Sequence, residues 1–113
     1  MPVGVRAPSW FAAGTPDLWI QAADHVLVRI DPSTGRVRAR LSFGRTLAQP
    51  SVARDGLLWV PDKEQNVVYR VNPKTQRVVD SFPAGAGAFF ALRAHGSMWV
   101  TSYAGDDVWR FAG

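Results

Sequence analysis

The chain has no cysteine and a single glutamate, Glu64, in 113 residues. Without thiols it can form neither a disulfide framework nor a thiolate metal site. Histidine is nearly as scarce, with only His25 and His95. No apolar run approaches the roughly 20 residues of a membrane-spanning helix, so no membrane partner is expected. The opening residues Met1-Pro2-Val3-Gly4-Val5-Arg6 lack an apolar core segment and are not read as a secretory leader. A chain complete as it stands would then be cytoplasmic; the lack of cysteine does not decide the compartment. Helical patterning is missing too. No segment keeps a 3.6-residue apolar period, and glycine or proline interrupts every stretch near a dozen residues.

What is present fits one globular domain. Apolar residues make up 47% and charged residues 19%, a balance that can bury a core. The net charge is +4, with eleven of the thirteen basic residues arginine. Such a surplus attracts anionic partners in general. These arginines are spread along the chain, so a solvated, arginine-biased surface is expected rather than a nucleic-acid interface. The densest run is Arg36-Val37-Arg38-Ala39-Arg40-Leu41. Read as a strand, it puts three arginines on one face and Val37, Ala39 and Leu41 on the other. Charge on an outer strand also discourages edge-to-edge aggregation.

Three tryptophans stand forty positions apart: Leu18-Trp19-Ile20, Leu58-Trp59-Val60 and Met98-Trp99-Val100. About ten residues after each comes an arginine between apolar neighbours: Val28-Arg29-Ile30, Tyr69-Arg70-Val71 and Trp109-Arg110-Phe111. A fixed period of about 40 marks stacked supersecondary units. Within each unit, a small-residue and apolar stretch precedes a turn: Gly14-Thr15-Pro16-Asp17, Asp55-Gly56 or His95-Gly96-Ser97. The tryptophan strand follows, and then a polar turn. A third strand rich in β-branched and aromatic residues comes next: Val26 to Ile30, Val67 to Val71, Val108 to Phe111. Asp31-Pro32 and Asn72-Pro73 end it, since proline removes a ladder donor. Asp31 and Asn72 are expected to bond amides two residues on. Fourth strands run from Arg36 to Phe43 and from Arg77 to Phe82.

Four short antiparallel strands repeated at this period describe β-propeller blades. The expected fold is all-β, a partial propeller of about two and three-quarter four-stranded blades. Blade 1 covers about residues 9–44, blade 2 about 50–85, and blade 3, lacking its outer strand, about 89–113. Each second-strand tryptophan is expected to pack between blades. Arg29, Arg70 and Arg110 are expected to bond backbone carbonyls or a carboxylate of the adjacent blade.

The run Trp99-Val100-Thr101-Ser102-Tyr103 resembles the signature of YVTN-family β-propeller repeats. The run Val26-Leu27-Val28-Arg29-Ile30-Asp31-Pro32-Ser33-Thr34-Gly35-Arg36-Val37 is similar to the third-to-fourth strand hairpin of that group, shared by streptogramin (virginiamycin B) lyase-like propellers. The resemblance covers nearly the whole chain and speaks for the fold; fold alone does not imply function. In the lyase it implies an elimination using histidine and glutamate near a bound magnesium. Neither residue finds a match here. His25 falls in a turn between second and third strands, His95 between first and second, hence on opposite rims. The lyase activity therefore does not carry over, and no cofactor is expected.

Other chemistry finds little support. Asp62 with Glu64, and Asp106 with Asp107, could hold a hard cation, but hairpin turns favour aspartate anyway. Gly85-Ala86-Gly87 leads into the strand-like Phe89-Phe90, whereas a phosphate cradle needs a helix start. Serine and histidine have no third partner arranged as a triad.

Pro2-Val3-Gly4 aligns with Ser42-Phe43-Gly44 and Pro83-Ala84-Gly85, the exit of a fourth strand. The chain is therefore expected to be a piece of a larger propeller or a short chain that self-associates, two copies closing about six blades. Its last repeat ends on the apolar Trp109 and Phe111, which predicts an adhesive open end. The expected function is a non-catalytic scaffold for a small-molecule or protein ligand. The site is placed on the rim of second-to-third strand turns and inter-blade loops, with Arg45, Gln49, Asp62, Lys63, Glu64, Phe89, Tyr103 and Asp106 as candidates. The alternative is a piece of a virginiamycin B lyase-like enzyme whose catalytic residues lie elsewhere.

Overall fold

A computed structural model describes residues 3–13 and 16–112. The turn residues Gly14 and Thr15, and Pro2 of the N-terminal alignment, lie outside the described residues. Among those described there are eleven strands and no helix, hence no helix long and apolar enough to cross a membrane. The first sheet comprises β1 (Pro8–Ala12), β2 (Leu18–Ala22), β3 (Val26–Ile30) and β4 (Val37–Ser42), in that order. The second orders β5 (Ser51–Val52), β6 (Leu58–Asp62), β7 (Val67–Asn72) and β8 (Arg77–Pro83) in the same way. The third has β9 (Ala88–Ala94), β10 (Ser97–Ser102) and β11 (Asp107–Ala112), with β10 central. All neighbours are antiparallel.

Local chemistry explains the hairpins. Asp31 Oδ1 accepts the Ser33 amide and Asn72 Oδ1 the Lys74 amide, both at 2.9 Å, two residues on as predicted. Each turn closes with a 2.8 Å bond back to the carbonyl of the same residue, from Gly35 N or Gln76 N. Both donors are left-handed, φ 74° and 59°, a conformation that is easy for glycine and strained for glutamine.

Each sheet has a leading face toward the next blade and a trailing face toward the previous one. Trp19 and Leu27 on the leading face of blade 1 meet Leu58, Val60 and Val71 on the trailing face of blade 2. Trp59 and Val68 of blade 2 meet Met98, Val100 and Ala91 of blade 3, with Phe82 and Phe111 packed alongside. Trp59 touches Phe82 and Phe111 edge-on, centroids 5.1 and 5.5 Å away. Both faces of β6 are therefore covered, and all five of its residues are buried. Between sheets the chain crosses over along one end, where the same backbone bond recurs: Ala23 N to Ala7 O, Lys63 N to Thr46 O and Tyr103 N to Gly87 O, at 2.9 to 3.0 Å.

Four expectations need correction. The tryptophans are not equivalent: Trp19 is fully buried and Trp59 3% exposed, whereas Trp99 is half-buried, with no sheet among the described residues packed on its face. Its indole N–H donates to Ala94 O at 2.9 Å, while those of Trp19 and Trp59 have no partner among the described residues. Two of the three repeated arginines take carboxylates of their own blade, Arg29 with Asp17 and Arg70 with Asp80, because those acids stand within side-chain reach in the same sheet and its entry turn. The three arginines of the 36–40 run do not share a face. A bulge between the partners of Arg29 and Ile30 shifts the pleat, leaving Val37 beside Ile30 on the trailing face and Ala39 beside Arg29 on the leading one. Finally, Trp109 and Phe111 turn toward blade 2, with Phe111 on Trp59, so Val108 and Arg110 face the open side.

Candidate functional site

The turns after β2, β6 and β10 lie at the crossover end of the sheets. There Asp62, at the end of β6, is fully buried. Its Oδ1 accepts the amides of Glu64 and Gln65 at 3.0 Å and of Thr46 at 3.2 Å. Its Oδ2 accepts the Arg45 amide at 2.7 Å and the Tyr69 hydroxyl at 3.1 Å. Burial pushes this carboxyl up, but the four backbone amides outweigh it and hold the group below its ordinary range. Burial, then the Asp62 charge and hydrogen bond, push the Tyr69 phenol up to about 12. The carboxylate thus ties the blade 1 to blade 2 crossover to the β6–β7 turn. Gly44 turns tightly above it, at φ 67°, where an added Cβ would stand 2.6 Å from Oδ2.

The sequence candidates divide by what surrounds them. Lys63, Phe89 and Tyr103 line one recess of about 360 Å³ with Gly87 and Ala104. Lys63 Nζ lies 5.6 Å from the Phe89 ring centroid, over its face, a geometry favourable to a cation. Tyr103 is 85% exposed. Asp106 lines a neighbouring recess of about 550 Å³ that shares Phe89 and Tyr103. Glu64 is on the same turn as Lys63, its carboxylate held by the Thr46 hydroxyl at 2.8 Å. Arg45 is exposed in the crossover loop. Gln49 is half-buried on the inner side, its backbone bonded to Phe89 O and Ala91 N at 3.0 and 3.1 Å.

Two residues escaped the sequence reading. Trp10 packs edge-on to Phe89 and Phe90, centroids 5.6 and 5.4 Å away. Trp10 pairs with Gln21 and Phe90 with Thr101, matching places in their repeats. An aromatic recurring on innermost strands was the available signal; the contact itself joins blades 1 and 3 and required the fold. Gly87 is also constrained, since a Cβ there would stand 2.8 Å from Ala104 N.

Among the described residues no three His, Asp or Glu side chains stand close enough to hold a metal ion. His25 and His95 fall in turns at opposite ends of their sheets, after β2 and after β9.

No protein-family model matches the chain, and no curated protein does. Solved structures do. Hydrazine synthase from Kuenenia stuttgartiensis superposes with a TM-score of 0.77 at 16% identity, over 90% of this chain and 31% of that one. BamB from Moraxella catarrhalis gives 0.73 at 15%, over 89% and 30%. Sqt1 from Saccharomyces cerevisiae gives 0.72 at 13%, over 94% and 31%. All three are β-propeller proteins. At such identities the likeness establishes fold alone. The chain is accordingly a partial β-propeller, spanning about a third of the length of the propellers it matches.

Proposed function

We propose that this chain is a non-catalytic propeller scaffold of YVTN type, related to the streptogramin lyase-like propellers in architecture, that binds a ligand at its crossover rim. It works as part of a larger or oligomeric ring. One observation carries the reading: Lys63, Phe89 and Tyr103, from blades 2 and 3, converge on one open recess at that rim. A cation beside two aromatic rings suits a planar group bearing negative charge, on a small molecule or on a protein side chain. Asp106 extends the polar margin. Asp62 and the backbone of Arg45 hold the crossover to the β6–β7 turn rather than contact the ligand, because their hydrogen-bonding groups are already used.

Amide chemical-shift titration with benzoate as probe tests this. Shifts confined to Lys63, Gly87, Phe89, Tyr103 and Ala104, lost in Lys63→Ala, are expected. Shifts scattered over the surface, or unchanged by that substitution, would refute it.

A further inference from the structure

The two internal junctions follow one rule. A tryptophan on a leading face enters an apolar bay on the next trailing face: Trp19 against Leu58, Val60 and Val71, and Trp59 against Met98, Val100 and Phe111. By register, the corresponding residues of blade 1 are Leu18, Ile20 and Ile30. They line an open recess of about 420 Å³, together with Phe11, which pairs with Ile20 and points the same way. Val3 and Val5 line its margin, and no tryptophan among the described residues enters it. At the other end, Trp99 on the leading face of blade 3 is half-buried and meets no bay among the described residues. Leu92 (58% exposed) pairs with Trp99, and Val108 (61%) sits beside it on the same face. Exposed aliphatics around a half-covered indole mark an interaction surface. The chain thus carries one unmatched knob and one unmatched bay, cut to the pattern it uses twice internally. The crossover bond Ala23 N to Ala7 O shows residues before β1 entering blade 1 as the inter-blade connections enter blades 2 and 3.

We propose that the occupant of each face is a second copy of this chain: blade 3 of one copy seats on blade 1 of the other, with Trp99 in the bay between Leu18, Ile20 and Ile30. The contact is heterologous, and two copies provide about six blades, within the roughly four to eight at which propellers close. The inference rests on the ring reading given above and names its partner.

Light scattering on the 113-residue chain across a concentration series tests it. A species of twice the 12.4 kDa chain mass is expected. Val108→Arg and Phe11→Glu alter side chains more than half exposed, so each should fold, as circular dichroism would verify. Each should weaken assembly by about tenfold or more, because it places a charge in an apolar junction. An equimolar mixture of the two variants should recover a dimer, since the intact knob of one meets the intact bay of the other. A monomer at every concentration, assembly indifferent to both substitutions, or a mixture that stays monomeric would overturn the proposal. A monomer that still shows the benzoate shifts would remove the second copy and leave the rim reading standing. A dimer without those shifts would do the reverse.

Discussion

Replacing Asp62 by asparagine changes little in shape and much in hydrogen bonding. The amide oxygen of the new side chain can keep the amides of Thr46, Glu64 and Gln65, which all converge on one oxygen in the parent chain. The other oxygen becomes an NH2 facing the Arg45 amide, which now stands 2.7 Å from a second donor. The Tyr69 hydroxyl can turn and accept. One charge-assisted bond is therefore lost and one donor left facing a donor, a cost of about 2 kcal/mol. Asp62→Ala frees four amides and a hydroxyl; water can reach those on the exposed turn, so about 4 kcal/mol is expected rather than the full sum. For a domain of this size, the asparagine variant should melt roughly 6–10 °C lower. The pH dependence has a definite sign. The folded-state carboxyl is held below its ordinary value, so its stabilisation is complete above the ordinary carboxylate range. It fades as pH falls through the folded value. The gap between Asp62→Asn and the parent chain should be widest near neutrality and close in acid. Calorimetry at fixed protein concentration, from neutral pH downward, measures both quantities; fixed concentration matters because assembly shifts Tm. Equal melting temperatures at neutral pH, or a gap constant with pH, would refute the hub assigned to Asp62.

Gly44→Ala should cost about 3 kcal/mol, since φ is 67° and the new Cβ meets Asp62, Leu47 and Tyr69 within 3.0 Å. Gly56→Ala, at φ 87° with open space around it, should cost only about 1 kcal/mol by urea denaturation. Trp59→Ala should destabilise by about 4 kcal/mol through the cavity it leaves between blades. Trp99→Ala should cost less than half of that in a monomer, and urea melts of both at low concentration give the comparison. Arg70→Lys gives up the two-pronged grip on Asp80 and the contact over Phe82, centroid 5.5 Å away. The site is partly exposed, so the same melts should register only about 0.5 kcal/mol.

Local chemistry and periodicity settled much of this protein before any coordinates. The forty-residue tryptophan spacing, the β-branched third strands and the Asp31-Pro32 and Asn72-Pro73 stops dictate short antiparallel strands, because they act through neighbours in sequence. The same spacing, which aligns Leu18, Leu58 and Met98, implies that consecutive sheets stack. Other features were settled only in three dimensions. Which carboxylate each arginine takes depends on side-chain reach across a sheet, and the bulge opposite Arg29 and Ile30 that splits Val37 from Ala39 has no mark in the alternating letters. Asp62 and Asp106 look alike as turn aspartates, yet one is buried under four amides and the other lies exposed at a recess. The meeting of Lys63 with Phe89 and Tyr103, and of Trp10 with Phe90, joins residues 26 to 80 positions apart. Repetition specifies a blade; only the packing of one blade on another specifies what stands at the seam.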